Sequence, residues 1–300
     1  MTAQMTSFSP ASSSPAVLKR PLAPRVMRVV NRVLLYIIAI AFTIIFVFPI
    51  IWLISASLKP NVEIYQEPLR LIPSEIDLTT YDKVFNVTPV LRYLVNSFFY
   101  SFTGSIITLF FSILAAYGLS RHVFTGKKHF LTFLLVIQVV PQLVRLVPLY
   151  IMMSSLGLIN TQFGLILLYG VGGIAYGTWF LKGYFDSVPK DLDEAAWIDG
   201  ASKFQTIWRI IIPTIIPGLV ALLILQFIGH WNDFAVAAMM LRIPEYRPLT
   251  VGIYTLIGPD ETDFRLLSTA ALVNIVPVVL VFSFLQRYLI SGLTAGAVKR

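Results

Sequence analysis

The sequence predicts an all-α membrane protein with six transmembrane helices and a helical cytoplasmic loop between the fourth and the fifth. Three observations predict it. Hydrophobic residues make up 57% of the chain, charged residues only 13%, and mean hydropathy is +0.79. A soluble domain carries about 25% charged residues, so much of the polar surface needed to face water on all sides is missing here. The apolar residues fall into runs long enough to cross a ~30 Å hydrocarbon core. The basic residues gather in alternate connections between those runs, which is the mark of a multi-pass chain.

The runs follow in order. Residues 33–54 are uncharged and form the first. A cleaved signal peptide is the alternative there, but its apolar region would be shorter and would not follow so long a polar leader. That leader, residues 1–32, is rich in serine and proline (Ser12, Ser13, Ser14, Pro10, Pro15, Pro21, Pro24) and reads as a disordered cytoplasmic segment. The second run is 94–119, and the third is 130–153, interrupted by Pro141, Arg145 and Pro148. The fourth, 163–181, holds Gly170, Gly172, Gly173 and Gly177, whose spacing suits close helix packing of the small-x-x-x-small kind. The fifth is 214–241, with Asp233 near its far end, and the sixth is 266–286. Residues 33–300 are therefore one six-helix membrane domain.

Charge orients it. Lys19, Arg20, Arg25, Arg28 and Arg32 precede the first run, and Arg121, Lys127 and Lys128 follow the second. Lys182, Lys190, Lys203 and Arg209 lie between the fourth and fifth, and Arg287, Lys299 and Arg300 close the chain. The intervening loops carry fewer, so the positive-inside rule puts both termini in the cytoplasm of a multi-pass inner-membrane protein. The net charge of +8 is thus a topology signal in a lipid-embedded chain, with no call for a nucleic-acid partner.

Catalysis has no visible constellation. Cysteine is absent, and the three histidines, His122, His129 and His230, are scattered, so no metal site is expected. A phosphate-binding G-x-x-x-x-G-K-[ST] loop is missing too: Gly126-Lys127 has Arg121 where the first glycine belongs.

The informative stretch is the loop at about 189–213. Asp191 followed by Glu194 reads as a capping box just after Pro189, opening a short helix to about Asp199 that Gly200 closes in a left-handed conformation. Ser202 and Gln205 make a second box, opening a helix that reaches Pro213. Ala195 and Ala196 leave a bare helix face, and Trp197, Ile198 and Trp208 are apolar for a solvated loop, so the loop reads as a docking surface.

Glu194-Ala195-Ala196, then Gly200, then Ile210, Ile211, Ile212 and Pro213 match the Glu-Ala-Ala, Gly, Ile-x-Leu-Pro signature of ABC importer permeases, with Ile212 in the usual leucine place. Asn96-Ser97, the run from Ala116 to Arg121, Pro148-Leu149-Tyr150, Trp231-Asn232-Asp233-Phe234 and the tail from Gly292 to Lys299 also resemble the maltose-type carbohydrate branch, in its smaller permease. The resemblance covers roughly 33–300. It implies a permease subunit of a binding-protein-dependent importer, paired with a second permease, two ATPase subunits and an extracytoplasmic solute-binding protein. This chain would then hold no cofactor, ATP and Mg being bound by the ATPase. The loop would be the coupling element, and Glu194, Ala195, Ala196, Asp199 and Gly200 its coupling residues. A gradient-driven secondary transporter or channel is the alternative, and it has no need of such a loop.

The solute pathway is read from polar groups inside the runs, because such groups are costly in lipid and face a cavity or a partner. Arg145, Gln226, Trp231, Asn232, Asp233 and Asn274 are the candidates, with Gln138, Gln142 and His230 adding hydrogen-bonding capacity. Amides, a carboxylate and an aromatic ring suit a sugar's hydroxyls and apolar face. A structural Arg145–Asp233 pair, or an Asp233 reaching outward to the interface, remain open at this point.

Overall fold

The computed structural model describes residues 25–257 and 263–297, and every regular element among them is helical. Two compact units divide the chain, Met1–Ile51 and Trp52–Arg300. The first helix, α1, runs Arg25–Leu58. It begins at Arg25 rather than at the expected Val33, because Val26, Met27, Val29 and Val30 continue the apolar pattern across Arg28 and Arg32. The residues before Arg25, with most of the leader, lie outside the described part, as do the last three residues of the tail.

In the second unit the long helix α2, Val90–Arg121, is the hub. α3 (Lys127–Val139) and α4 (Gln142–Ser155) meet at a 98° bend. Pro141 causes the break, since it lacks an N–H and forces Val140 out of the helical region. α5 (Gln162–Gly172) and α6 (Ile174–Ser187) form a single candidate span of 26 residues. A short helix, α7 (Asp191–Ile198), precedes α8 (Lys203–Thr214). α8 turns through 84° at Ile215 into α9 (Ile216–Trp231), with Pro217 in the first turn of α9. α10 (Ala235–Met240), α11 (Leu249–Tyr254) and α12 (Phe264–Ala297) follow. Among the described residues, four helices are long and apolar enough to cross a membrane, or up to six if each bent pair is one span. The fifth apolar run is thus not one continuous helix: 214–241 is interrupted at Asn232–Phe234, where Asp233 and the helix-ending Asn232 interrupt it.

Small residues let α2 lie close to its neighbours. Ser97, Ser101, Ser105, Thr108 and Ser112 are buried along it, and the Thr108 hydroxyl donates to the Gly170 carbonyl at 2.8 Å. A Cβ on Gly173 would sit 2.8 Å from Thr108 Oγ1, and one on Gly177 would sit 2.3 Å from Ser112 Oγ. Contacts that short leave no room for a side chain, so the glycine series does set close helix packing. Gly172 is the exception, with open space around it. The start of α2 also holds a distant loop: Asn96 Nδ2 donates to the carbonyls of Glu245 and Arg247 at 2.9 and 3.0 Å, and Leu249 N–H donates to Ser97 Oγ at 2.7 Å.

The apolar core divides into clusters. Ile113, Ala116, Leu181, Phe185, Ile211 and Leu222 pack together where α2, α6, α8 and α9 meet. Tyr100, Met153, Leu165, Tyr169 and Met240 pack together around the break between α9 and α10. These two clusters frame the two polar regions described next.

Candidate functional site: a clamped helical loop and a polar helix break

The loop after α6 is built almost wholly by local chemistry. Gly200 has φ of 81°, the left-handed conformation expected of it. Gly200 N–H donates to the Trp197 carbonyl at 3.1 Å and Ala201 N–H to the Ala196 carbonyl at 2.9 Å, a Schellman closure that satisfies carbonyls at the end of α7. Ser202 and Gln205 form the reciprocal capping box at the start of α8, with bonds of 2.8 and 3.3 Å. α8 continues through a π-helical stretch, Thr206–Ile211, to Thr214.

The start of α7 differs from expectation. Asp191 makes no capping box: the N-cap is Lys190, whose side chain makes no capping bond. Leu192 N–H already donates to the Pro189 carbonyl at 3.3 Å, so the turn begins earlier and Asp191 falls inside the helix. Its carboxylate, with those of Asp193 and Glu194, instead sits in the first turn, where the helix dipole favours negative charge.

One face of α7 is turned outward. Glu194 and Ala195 are exposed, as are Asp199 and Gly200, and Ile198 is 86% exposed. Trp197 is 43% exposed. Ala196 departs from the expected bare pair, being buried against the chain itself. Trp208 is half-buried and stacks on Phe110, with ring centroids 6.2 Å apart.

Beside Ala196, the inward face holds a charge that sequence reading passed over. The Asp193 carboxylate is buried; Tyr117 OH donates to its Oδ1 at 2.9 Å, and Arg121 Nε lies 2.8 Å from Oδ2. Arg121 Nη1 also donates to the Phe185 carbonyl at 3.0 Å. Ser120 Oγ donates to Asp186 Oδ1 at 2.7 Å, and Lys182 pairs with the same carboxylate one helical turn away. Leaving either member of the buried Arg121–Asp193 pair alone would cost about 3–5 kcal/mol. The available sequence signal was Asp193 on the face opposite Ala195, with Tyr117 and Arg121 one turn apart at the end of α2.

The second region lies at the break between α9 and α10. Asp233 accepts from Gln142 Nε2 at 2.8 Å, from Tyr169 OH at 3.0 Å and from the Ala237 N–H at 3.2 Å. Asp233 and Arg145 do not form a pair: the partly buried carboxylate accepts from neutral donors instead. His230 stacks on Tyr169, with centroids 4.5 Å apart and planes within 8°. Trp231 is buried, and its Nε1 donates to the Asn274 carbonyl at 3.2 Å. Asn232 is exposed at the end of α9, and Gln226 Oε1 lies where a Cβ on Gly173 would meet it at 2.7 Å. Arg145 Nε, His230 Nε2 and Asn274 Oδ1 are buried atoms without a hydrogen-bond partner among the described residues. The six candidates are therefore not one cluster. Asp233 joins α4 and α5, Trp231 joins α12, and Gln226 faces α5 and α6.

The sequence pattern of the binding-protein-dependent transport system inner membrane component matches residues 108–294, from the middle of α2 nearly to the end of α12. The chain belongs to that family. It is 33% identical over 252 residues to a sulfoquinovosyl glycerol transport system permease protein of Agrobacterium fabrum, covering 84% of this chain and 88% of that one. It is 34% identical over 285 residues to a galactooligosaccharides transport system permease protein of Bacillus subtilis, covering 92% and 98%. Among solved structures, a bacterial ABC transporter involved in the import of the acidic polysaccharide alginate matches with a TM-score of 0.78 at 25% identity, over 90% of this chain and 99% of that one. The protein is accordingly a permease subunit of an ABC importer, of the maltose-type carbohydrate branch. It is a transport subunit and no enzyme itself; ATPase activity lies in partner chains.

Proposed function

We propose that this permease passes an oligosaccharide or a sugar–polyol conjugate through a pore shared with a second permease, receiving it from an extracytoplasmic binding protein. The relatives named above, described as permeases for such solutes, support that class. Two ATPase subunits, with their ATP and Mg, would bind on the cytoplasmic face. Each bent helix pair is read as one span, giving six, with both termini cytoplasmic and residues 33–300 as the membrane domain. Single cysteines placed in this cysteine-free chain would test that topology by membrane-impermeant labelling.

The outward face of α7 carries the coupling reading. Its exposed Glu194 and Ala195, with Asp199 and Gly200 at its end, form a short rigid surface to seat in an ATPase cleft, and Ala196 beneath fixes its depth. ATPase closure would displace this lever and the helices joined to it, alternating the side to which the pore opens. Glu194→Lys or Gly200→Pro should abolish uptake while the chain still reaches the membrane; normal uptake by either would remove α7 from that role.

For the pathway we read Arg145, Gln226, Trp231, Asn232, Asp233 and Asn274 as its polar lining and support. Arg145 Nε and Asn274 Oδ1, unpartnered among the described residues, offer a donor and an acceptor that a hydroxylated solute or the second permease would satisfy. Affinity purification from the native membrane should recover the second permease and the ATPase. Binding measurements on the companion binding protein would then name the solute.

A further inference from the structure

We propose that Arg121 and Asp193 are positioning residues that lock the coupling helix α7 to the cytoplasmic end of α2, so that movement imposed on α7 reaches α2 directly rather than through α8 alone. The inference rests on the coupling reading of α7 and adds the route by which its motion enters the membrane domain.

Without this contact, α7 would be tied to the spans through its own chain ends and through its packing on α8, with Ala196 on its buried face. Toward α8 the chain link is the four-residue turn Asp199–Ser202, and toward α6 it is Val188–Lys190. Short turns transmit a pull along the chain but resist sideways rotation poorly. The buried carboxylate changes that. The Asp193 carboxylate accepts a hydrogen bond from Tyr117 OH at 2.9 Å on one oxygen and faces the charge of Arg121, whose Nε lies 2.8 Å from the other as an ion pair without hydrogen-bond geometry. Those two residues are one helical turn apart, so together they fix orientation as well as distance. Arg121 Nη1 then reaches the Phe185 carbonyl at 3.0 Å, and Ser120 reaches Asp186 at 2.7 Å, which brings the end of α6 into the same body. α2 is the helix against which α5, α6, α9 and α11 all pack. A lever attached there moves the centre of the second unit.

The pair is a poor device for stability alone. Buried ion pairs are often neutral or worse against apolar replacements of the same size. Arg121 Nε and Nη2 and Asp193 Oδ2, moreover, have no hydrogen-bond partner among the described residues, a shortfall that a pair serving only to stabilise would be expected to avoid. What the pair supplies is one defined orientation of α7 against α2.

The test uses the assembled importer with its ATPase, with nitroxide labels at His122→Cys and Asp191→Cys, both exposed positions in a chain with no cysteine of its own. Electron–electron distance measurement before and after Mg–ATP should give one narrow distance that does not shift. In the Asp193→Asn variant the distribution should broaden and shift on Mg–ATP. The apolar double variant Arg121→Met/Asp193→Leu should restore much of the narrow distance, since it refills the site without a stranded charge. A role confined to folding would change the amount of complex and leave the distance fixed; a fixed distance in Asp193→Asn overturns the proposal. If Asp193→Asn does not assemble, Tyr117→Phe keeps the ion pair, removes one bond and decides between the same two outcomes. Normal uptake by Gly200→Pro would sink the coupling reading itself. Defective Gly200→Pro with an unmoved distance in Asp193→Asn would sink only the lock.

Discussion

Gly200 allows the sharpest test of the loop. Its φ of 81° closes α7, and a Cβ added there would meet nothing within 4 Å. Gly200→Ala therefore introduces backbone strain and no clash. A left-handed conformation costs an alanine about 1–2 kcal/mol, which weakens the closed turn roughly 5- to 30-fold. The structure also provides a matched control. Gly157 has φ of 68°, open space for a Cβ, and the same pair of closing bonds: its N–H to Ser154 at 3.0 Å, and Leu158 N–H to Met153 at 2.9 Å. Strain of similar size is thus placed at the end of α4, away from the loop. In proteoliposomes holding the complete importer, Gly200→Ala should lower solute moved per ATP hydrolysed several-fold, and Gly157→Ala should leave that ratio unchanged. Gly200→Asn should recover part of the loss, because asparagine tolerates this conformation better. Equal ratios for the two alanine variants would show that the closed turn has no part in coupling.

Other outcomes follow from the same geometry. Gly252→Ala and Gly177→Ala should each destabilise the detergent-solubilised protein by about 1–3 kcal/mol by overpacking. A Cβ there would lie 2.0 Å from the Tyr93 ring and 2.3 Å from Ser112 Oγ, whereas Gly183→Ala, in open space, should leave the melting temperature unchanged. Hydrogen bonds from Thr79, with Arg265 adding its charge, hold the Asp77 carboxyl below its ordinary 3.8. A lowered carboxylate stabilises fully above its unfolded value and loses that contribution only as pH falls through the folded one. The stability difference between Asp77→Asn and the parent should therefore be constant over about pH 5–8, which a set of melting curves would check. Asp233→Asn should lower thermal stability, since it puts a donor where Gln142, Tyr169 and Ala237 all donate. Arg145→Gln should leave stability nearly unchanged and alter uptake, because the Arg145 Nε bonds to nothing within the described chain.

The two polar regions differ in how far the sequence disclosed them. The turn at Gly200–Ser202 was legible because its bonds close over a few residues: a glycine that must be left-handed, then a serine and a glutamine at capping distance. Even there the register at Asp191 slipped, since Pro189 opened the helix a residue early, and no local pattern distinguishes the two starts. The glycine series announced close packing but not its partners Thr108 and Ser112, which lie on another helix. The Asp193 anchor and the Asp233 cluster depend on residues far away in the chain, Tyr117 and Arg121 for the one, Gln142 and Tyr169 for the other. Composition could say that Arg145 and Asp233 needed partners. It could not say that they would not be each other's.

That separation bears on how such a chain uses polarity in a membrane. A carboxylate in a span is tolerated where donors surround it, and Asp233 meets that condition by sitting in a gap between helices, where backbone N–H groups are also free to donate. The Ala237 N–H bond at 3.2 Å is available only because α10 starts afresh two residues beyond Asp233. Gln142 reaches the same carboxylate because Pro141 breaks the other bent pair at that level. The interruptions that spoil the helical periodicity of the third and fifth runs are thus the conditions that give this partly buried carboxylate its donors. A continuous helix at either place would leave Asp233 short of a donor.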